Sequence, residues 1–319
     1  MRSLLCLFDM TAEQQEAVRS AASGLEVRFS QEGALDERDF REAEIVLGWH
    51  PMVRDAALQE GTKLRWIQSW SSGIDSLPLD LIEARGMLLT DASGVHAKSV
   101  SETAIAMMLG LSRGIAAAVR NQHTSTWESP PTLAEMNGGT VAIVGAGEIG
   151  REVARVARAF DMRVLAVSRS GRTVPEADAT YETSRLDEAL GEADYVVNIL
   201  PLTEETRYLF DARRFAAMKQ GAYFINVGRG ATVKTEDLIA ALEQGAIAGA
   251  GLDVFEQEPL PAEHPLWSMP NVILTPHNSG GMTVRNTERL VRLFVSNLGV
   301  YLSGETERLH NLVDYSKRY

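Results

Sequence analysis

The stretch TVAIVGAGEIG, residues 140–150, limits what this chain can fold into more than any other. Its apolar run, Val141 to Val144, reads as a buried strand. Glycines at G-x-G-x-x-G spacing follow at Gly145, Gly147 and Gly150, and Ile149, Val153, Val156, Ala157 and Phe160 then recur at helical spacing. A second apolar run, RVLAV at 163–167, reads as the next strand. The glycines therefore sit where a strand turns into a helix inside a β-α-β unit, which is the context a dinucleotide-binding turn requires.

Each glycine has a physical task in such a turn. Gly145 permits the tight bend, Gly147 lacks a Cβ so that a pyrophosphate reaches the backbone, and Gly150 lets helix and strand pack closely. The helix start at Glu148 and Ile149 offers N–H groups and a positive dipole end to the phosphates. About twenty residues on, an NAD enzyme places Asp or Glu for the ribose 2′-hydroxyl. This chain instead reads Ser168, Arg169, Ser170, Gly171, Arg172. No acid stands there to repel a 2′-phosphate, and two guanidinium forks suit one. NADP(H) is the expected cofactor, with NAD(H) as the alternative.

With 319 residues the chain is long enough for two domains. Hydrophobic residues at 45% and charged residues at 23% give an ordinary globular balance. The net charge of −12 repels phosphate backbones and argues against a nucleic-acid partner. The lone cysteine, Cys6, forms no internal disulfide and reads as a core residue. The first apolar run ends at Asp9, too short for a signal peptide, and no stretch is long enough to span a membrane. The expected setting is cytoplasmic.

Apolar runs at Leu4–Phe8, Leu25–Phe29, Ile45–Trp49 and Trp66–Trp70 alternate with helix-like stretches at Thr11–Ala22 and Asp36–Ala43, which favours a parallel sheet. Ser71-Ser72-Gly73 then closes a strand at its carboxyl end, where ligands of open α/β sheets bind. A helix is expected over 99–118, capped by Ser99 or Ser101, followed by a polar arm at 121–139 with Trp127, Pro130 and Pro131. Beyond the glycine turn, strands are expected at Tyr195–Leu200, Tyr223–Val227, Ala248–Val254 and Val272–Leu274, with helices at Leu209–Met218, Thr235–Gln244 and Thr283–Leu302. Six or so parallel strands after residue 140 fit a doubly wound sheet.

Three of these strands end in groups capable of chemistry: Arg229, the pair Asp253 and Glu258, and His277. Hydride transfer to a carbonyl needs a cation for the substrate's carboxylate and oxygen, a proton donor, and a group that keeps the donor charged. Arg229, between Gly228 and Gly230, offers an uncrowded fork. His277 is a natural acid/base, and Glu258 against its ring would hold it and favour its protonated form. The other histidines, His50, His96, His123, His264 and His310, lack this arrangement, although His50 and His96 could line a cleft. No metal-binding cluster is expected.

Through GAGEIG at 145–150, LPLTEET at 200–206, INVGRGA at 225–231, GAGLDVFEQEPLP at 249–261 and LTPHNSGG at 274–281, the chain resembles the D-isomer-specific 2-hydroxyacid dehydrogenases. SSGID at 71–75 and SETAIAMML at 101–109 extend the likeness. The resemblance implies an α/β protein of two Rossmann-like domains. A doubly wound dinucleotide-binding domain, 99–283, would be inserted into a flavodoxin-like substrate domain, 1–98 plus 284–319. It implies Arg229 as the 2-oxoacid ligand, His277 as proton donor and Glu258 as its partner. Asp253 would meet the nicotinamide carboxamide, and Leu200, Pro201, Thr206, Val227, Gly228 and Gly280 would complete the cofactor contacts. The backbone at Ser72 and Gly73 would hold the substrate carboxylate, with cleft closure completing the site.

Relatives acting on formate typically carry Gln where this chain has Glu258, and relatives acting on phosphoglycerate often extend beyond the last helix, as this sequence does not. Ser168-Arg169 in place of a strand-end acid resembles the NADPH-using glyoxylate/hydroxypyruvate reductase branch. The expectation is a reductase of small 2-oxoacids to D-2-hydroxyacids, working as a homodimer joined through the helix near Ser101 and the Trp127 arm. The alternatives are an NAD-dependent D-lactate-type dehydrogenase and a non-catalytic dinucleotide-sensing regulator.

Overall fold

The computed structural model describes residues 2–129 and 133–316, and it divides into two compact units. The first comprises Met1–His96 and Met282–Tyr319, and the second comprises Ala97–Gly281. The chain thus leaves its first unit, builds the second, and returns to finish the first.

The first unit contains β1 (Arg2–Cys6), α1 (Ala12–Ala21), β2 (Leu25–Phe29), α2 (Glu37–Glu42), β3 (Ile45–Leu47), β4 (Trp66–Gln68), α3 (Leu79–Ala84) and β5 (Leu88–Thr90). All strand pairings are parallel, in the order β2-β1-β3-β4-β5 of a flavodoxin-like sheet. Alternate side chains of each strand face opposite ways. Leu4, Cys6, Ile45, Leu47 and Trp66 pack with Val18 of α1 and with Leu290, Phe294 and Leu298 near the chain's end. Leu5, Val46, Ile67 and Leu89 pack with Phe40 and Ile82 on the other face. Thr11 caps α1 in a reciprocal capping box with Gln14, as its position before the helix predicts.

The second unit contains α4 (Ala97–Ser112), α5 (Ile115–His123), β6 (Thr140–Val144), α6 (Glu148–Arg158), β7 (Arg163–Ser168), β8 (Ala179–Glu182), α7 (Leu186–Glu192), β9 (Tyr195–Asn198), α8 (Ala212–Ala217), β10 (Tyr223–Asn226), α9 (Thr235–Glu243), β11 (Gly249–Leu252) and β12 (Val272–Leu274). Its parallel strands run β12-β11-β10-β9-β6-β7-β8, so the order reverses beside β6, where a doubly wound sheet binds its ligand. Residues of α4 and α6 cover one face, among them Ala104, Met108, Val153 and Ala157. Residues of α7, α8 and α9, such as Leu186, Phe215 and Leu238, cover the other. The final helix, α10 (Val284–Ser303), belongs to the first unit and is capped by Thr283.

The expected helix over 99–118 is two helices. It begins at Ala97, and neither serine is its cap: Ser101 is buried, with Oγ donating to the Lys98 carbonyl. It stops because Gly114 turns left-handed at φ 68° and starts α5 in a new direction. Four elements were not evident from periodicity: α3, β5, β8 and α7. Strand β8 lies at the sheet edge with only Tyr181 buried, so it carries little apolar signal. Trp127 of the expected arm is fully exposed, and Pro130 and Pro131 lie outside the described residues. No single described helix is long and apolar enough to cross a membrane.

Candidate active site

The glycine turn lies between β6 and α6, with Gly147 as the N-cap. A Cβ on Gly145 would lie 2.9 Å from the Ile199 backbone, and one on Gly150 would lie 2.3 Å from the Gly145 carbonyl. Both positions exclude a side chain for reasons internal to the protein. Gly147 differs, because a Cβ there would meet nothing within 4 Å. The space beside it is open, as a phosphate approaching the backbone requires.

At the end of β7 the Ser168 hydroxyl is buried and has no hydrogen-bond partner among the described residues, a polar group suited to a ligand oxygen. Arg169, Ser170 and Arg172 follow on the surface. The fold adds a group that the linear reading of this loop missed. Glu182, at the end of β8, is in register with Ser168, and a Cβ on Gly171 would lie 2.6 Å from its Cγ. An acid therefore does stand beside the arginine loop, delivered by the neighbouring strand. The signal that could have found it is the unrecognised edge strand itself.

The loop after β9 is fixed from within. Thr206 Oγ1 donates to the Pro201 carbonyl at 2.6 Å and accepts from the Thr203 N–H at 2.8 Å. After β10, Val227 is buried and Arg229 is half-buried, with Nη1 donating to the Gly228 carbonyl at 2.9 Å. The glycines flanking Arg229 do more than avoid crowding its side chain. A Cβ on Gly228 would lie 2.7 Å from the Leu200 carbonyl, and one on Gly230 would lie 1.9 Å from the Phe255 backbone. They are glycines because other backbone runs against them.

His277 and Glu258 meet as expected from chemistry: Nδ1 lies 2.6 Å from Glu258 Oε2. The other carboxylate oxygen accepts the Phe255 N–H at 2.9 Å, which fixes the acid's orientation. His277 is held at φ 50°, a left-handed backbone that few non-glycine residues adopt. Asp253 stabilises this loop. It is fully buried, and its Oδ1 accepts from Thr275 Oγ1 at 2.6 Å and from the Asn278 N–H at 3.0 Å. Ser279 donates to the same carboxylate through its N–H and its hydroxyl. Gly280 follows directly, partly exposed.

In the first unit, Ser72 and Gly73 are partly exposed beyond the end of β4, and the Gly73 N–H donates to Ser71 Oγ at 3.1 Å. His50 stacks on Phe40 and accepts the Met52 N–H, while His96 is buried with Nε2 2.8 Å from the Trp70 carbonyl. Both histidines are engaged structurally. No cluster of three metal-ligating side chains occurs among the described residues.

Comparison with known proteins places the chain in a family. The family model described as "D-isomer specific 2-hydroxyacid dehydrogenase, NAD binding domain" matches residues 105–279. Glyoxylate/hydroxypyruvate reductase B of Escherichia fergusonii is 39% identical over 276 residues, which cover 84% of each chain. A D-isomer specific 2-hydroxyacid dehydrogenase family protein of Aeromonas salmonicida superposes with a TM-score of 0.84 at 36% identity, covering 98% of this chain and 99% of that one. The NADPH-dependent glyoxylate/hydroxypyruvate reductase of Sinorhizobium meliloti, solved with NADP and sulfate, superposes at 0.82 with 29% identity, covering 100% and 99%.

Proposed function

Because this chain belongs to the D-isomer specific 2-hydroxyacid dehydrogenase family, we propose that it reduces small 2-oxoacids of the glyoxylate, hydroxypyruvate and pyruvate type to D-2-hydroxyacids with NADPH. The observation that carries this reading is the contact of His277 Nδ1 with Glu258 at 2.6 Å, on a loop anchored by buried Asp253. Bound NADPH supplies the hydride for the carbonyl carbon. His277 delivers its proton from Nε2 to the carbonyl oxygen, since Glu258 occupies Nδ1 and fixes the ring's orientation. Arg229 binds the 2-oxoacid and balances the negative charge growing on its oxygen. Ser72 and Gly73 are proposed as carboxylate contacts of the first unit.

The residues proposed to hold the cofactor follow the sheet edge. The backbone from Gly145 through Glu148 and Ile149 to Gly150 takes the pyrophosphate. Ser168, Arg169, Ser170 and Arg172 take the 2′-phosphate, with Glu182 as a nearby opposing charge. Leu200, Pro201, Thr206, Val227, Gly228, Asp253 and Gly280 line the remainder, and Asp253 also holds the His277 loop.

The proposed assembly is a homodimer through the second unit. Helix α4 uses its apolar face on its own sheet, so the support comes from beyond it: Ile115, Val119, Trp127 and Leu133 are all exposed. Sedimentation of wild type and Trp127→Asp tests this; an unchanged mass for both would refute the surface. The lone buried Cys6 suits the reducing compartment proposed for the protein, the cytoplasm.

The deciding experiment follows loss of reduced-nicotinamide absorbance with glyoxylate, hydroxypyruvate, pyruvate and a bulkier 2-oxoacid, each with NADPH and NADH. Turnover that favours NADPH with a small 2-oxoacid is expected. Cofactor binding without turnover of any 2-oxoacid would overturn the reading.

A further inference from the structure

Arg229 is proposed to bind substrate, and its backbone is held by polar side chains buried at the carboxyl ends of two adjacent strands. Asn198 ends β9, Asn226 ends β10, and the two are register partners. Asn198, Asn226 and Thr232 are at most 1% exposed. Asn198 Nδ2 donates to Asn226 Oδ1 at 3.1 Å and to Thr232 Oγ1 at 2.7 Å.

This set reaches two loops. On one side Asn198 Oδ1 accepts the Leu200 N–H at 3.3 Å, at the start of the loop proposed to line the cofactor. On the other, Asn226 Oδ1 accepts the Gly228 N–H at 3.1 Å. The Arg229 carbonyl then receives three donors: Asn226 Nδ2 at 3.3 Å, Thr232 Oγ1 at 2.6 Å and the Thr232 N–H at 3.2 Å. The residues on either side are the glycines packed against Leu200 and Phe255, so the Arg229 backbone has one arrangement available.

Apolar side chains of similar volume would leave the Leu200 and Gly228 N–H groups and the Arg229 carbonyl without these partners, so the cluster supports the fold as well as the loop. A fully satisfied buried network also specifies one geometry. We propose that Asn198, Asn226 and Thr232 are positioning residues that lock the Arg229 backbone to the Leu200 loop, and thereby set the guanidinium for the 2-oxoacid. The inference rests on Arg229 as the substrate ligand. A guanidinium displaced by about 1 Å would cost on the order of a hundredfold in rate.

Two variants test this from different directions. Thr232→Val keeps the shape but removes the hydroxyl between Asn198 and Arg229. Asn226→Asp keeps the acceptor for Gly228 and Asn198 but replaces the donor to the Arg229 carbonyl with an oxygen. In each, kcat/KM for glyoxylate should fall about tenfold or more, while the Kd for NADPH, read by fluorescence, stays within about twofold. Thr232→Ser should restore wild-type kcat/KM, because it returns the hydroxyl. Wild-type kcat/KM in folded Thr232→Val and Asn226→Asp would overturn the proposal. So would a parallel fall of Tm, NADPH affinity and turnover, which marks a purely structural role. If Thr232→Val does not fold, Asn226→Asp decides alone. Arg229→Ala run alongside keeps the two readings apart. If it retains turnover, the substrate role of Arg229 fails; if it loses turnover while the other variants do not, only the positioning role fails.

Discussion

At the end of β6 the chain turns on glycines and leaves backbone for a ligand; at the end of β10 it turns between glycines and presents a side chain. The same residue type serves opposite needs in the two loops. Gly147 has empty space where a Cβ would go, so its missing side chain makes room for something outside the chain. Gly228 and Gly230 have the protein's own backbone there, so theirs make room for neighbouring loops. The first loop borrows its charge from peptide dipoles and a helix start. The second presents Arg229, whose backbone carbonyl accepts from buried Asn226 and Thr232, and the loop after β12 adds an imidazole held by two carboxylates, one touching it and one beneath its loop. Backbone recognition tolerates a local design, whereas side-chain chemistry needs support from several strands.

The largest effect should come from the side-chain half. His277→Ala and Arg229→Ala are each expected to lower turnover by about 10²–10⁴-fold, with NADPH binding retained, in steady-state assays paired with fluorescence titration. Near-normal turnover in either variant would break the division of labour between the loops. Next come the glycines. Gly147→Ala should fold with an unchanged Tm but bind NADPH at least about tenfold more weakly, whereas Gly230→Ala should lose about 1–3 kcal/mol of stability or fail to accumulate. If both variants lose stability equally, the contrast between room for a ligand and room for a loop is wrong.

Smaller effects probe the arginine loop. Replacing Arg169 and Arg172 together by alanine should raise the KM for NADPH about 10–100-fold and leave that for NADH nearly unchanged. Glu182→Gln should shift the ratio the other way, by about two- to fivefold, since Glu182 is an exposed charge screened by solvent. An equal change for both cofactors would remove the 2′-phosphate from the explanation.

The smallest effect lies in the first unit. Burial holds the Asp91 carboxyl above its usual range, against a hydrogen bond from the Ser93 N–H that lowers it. The folded protein therefore binds this proton more tightly than the unfolded chain does. Its contribution is full below the unfolded pKa and is lost as pH rises through the folded one. Asp91→Asn keeps an acceptor for Ser93 and should raise Tm at neutral pH by more than it does in acid. A Tm difference that is constant across pH would show that the carboxyl does not titrate differently in the two states.

The proposed trio was singled out by residue type and strand-end position, because Arg229, Glu258 and His277 each follow a strong apolar run and each suits one chemical need. Periodicity also located most strands to within a residue or two. It failed where burial was partial, as at β8, and where one glycine's backbone sign broke a helix, as at Gly114. The consequence at β8 was chemical as well as architectural, since missing that strand hid Glu182 from the cofactor loop.

The sequence by itself determined the dinucleotide turn, the resemblance of its motifs to a family of 2-hydroxyacid dehydrogenases, and the groups able to move a proton and bind an anion. All of these depend on residues close together in the chain, where propensity and side-chain chemistry act locally. Only the tertiary structure decided that Glu182 stands by the arginines, that Asp253 anchors the His277 loop, and that Asn198, Asn226 and Thr232 meet beneath Arg229. Those contacts join strand ends separated by a helix or a long loop. In a parallel sheet, neighbours in space are distant in sequence, and the hydrogen bonds that fix a site follow space.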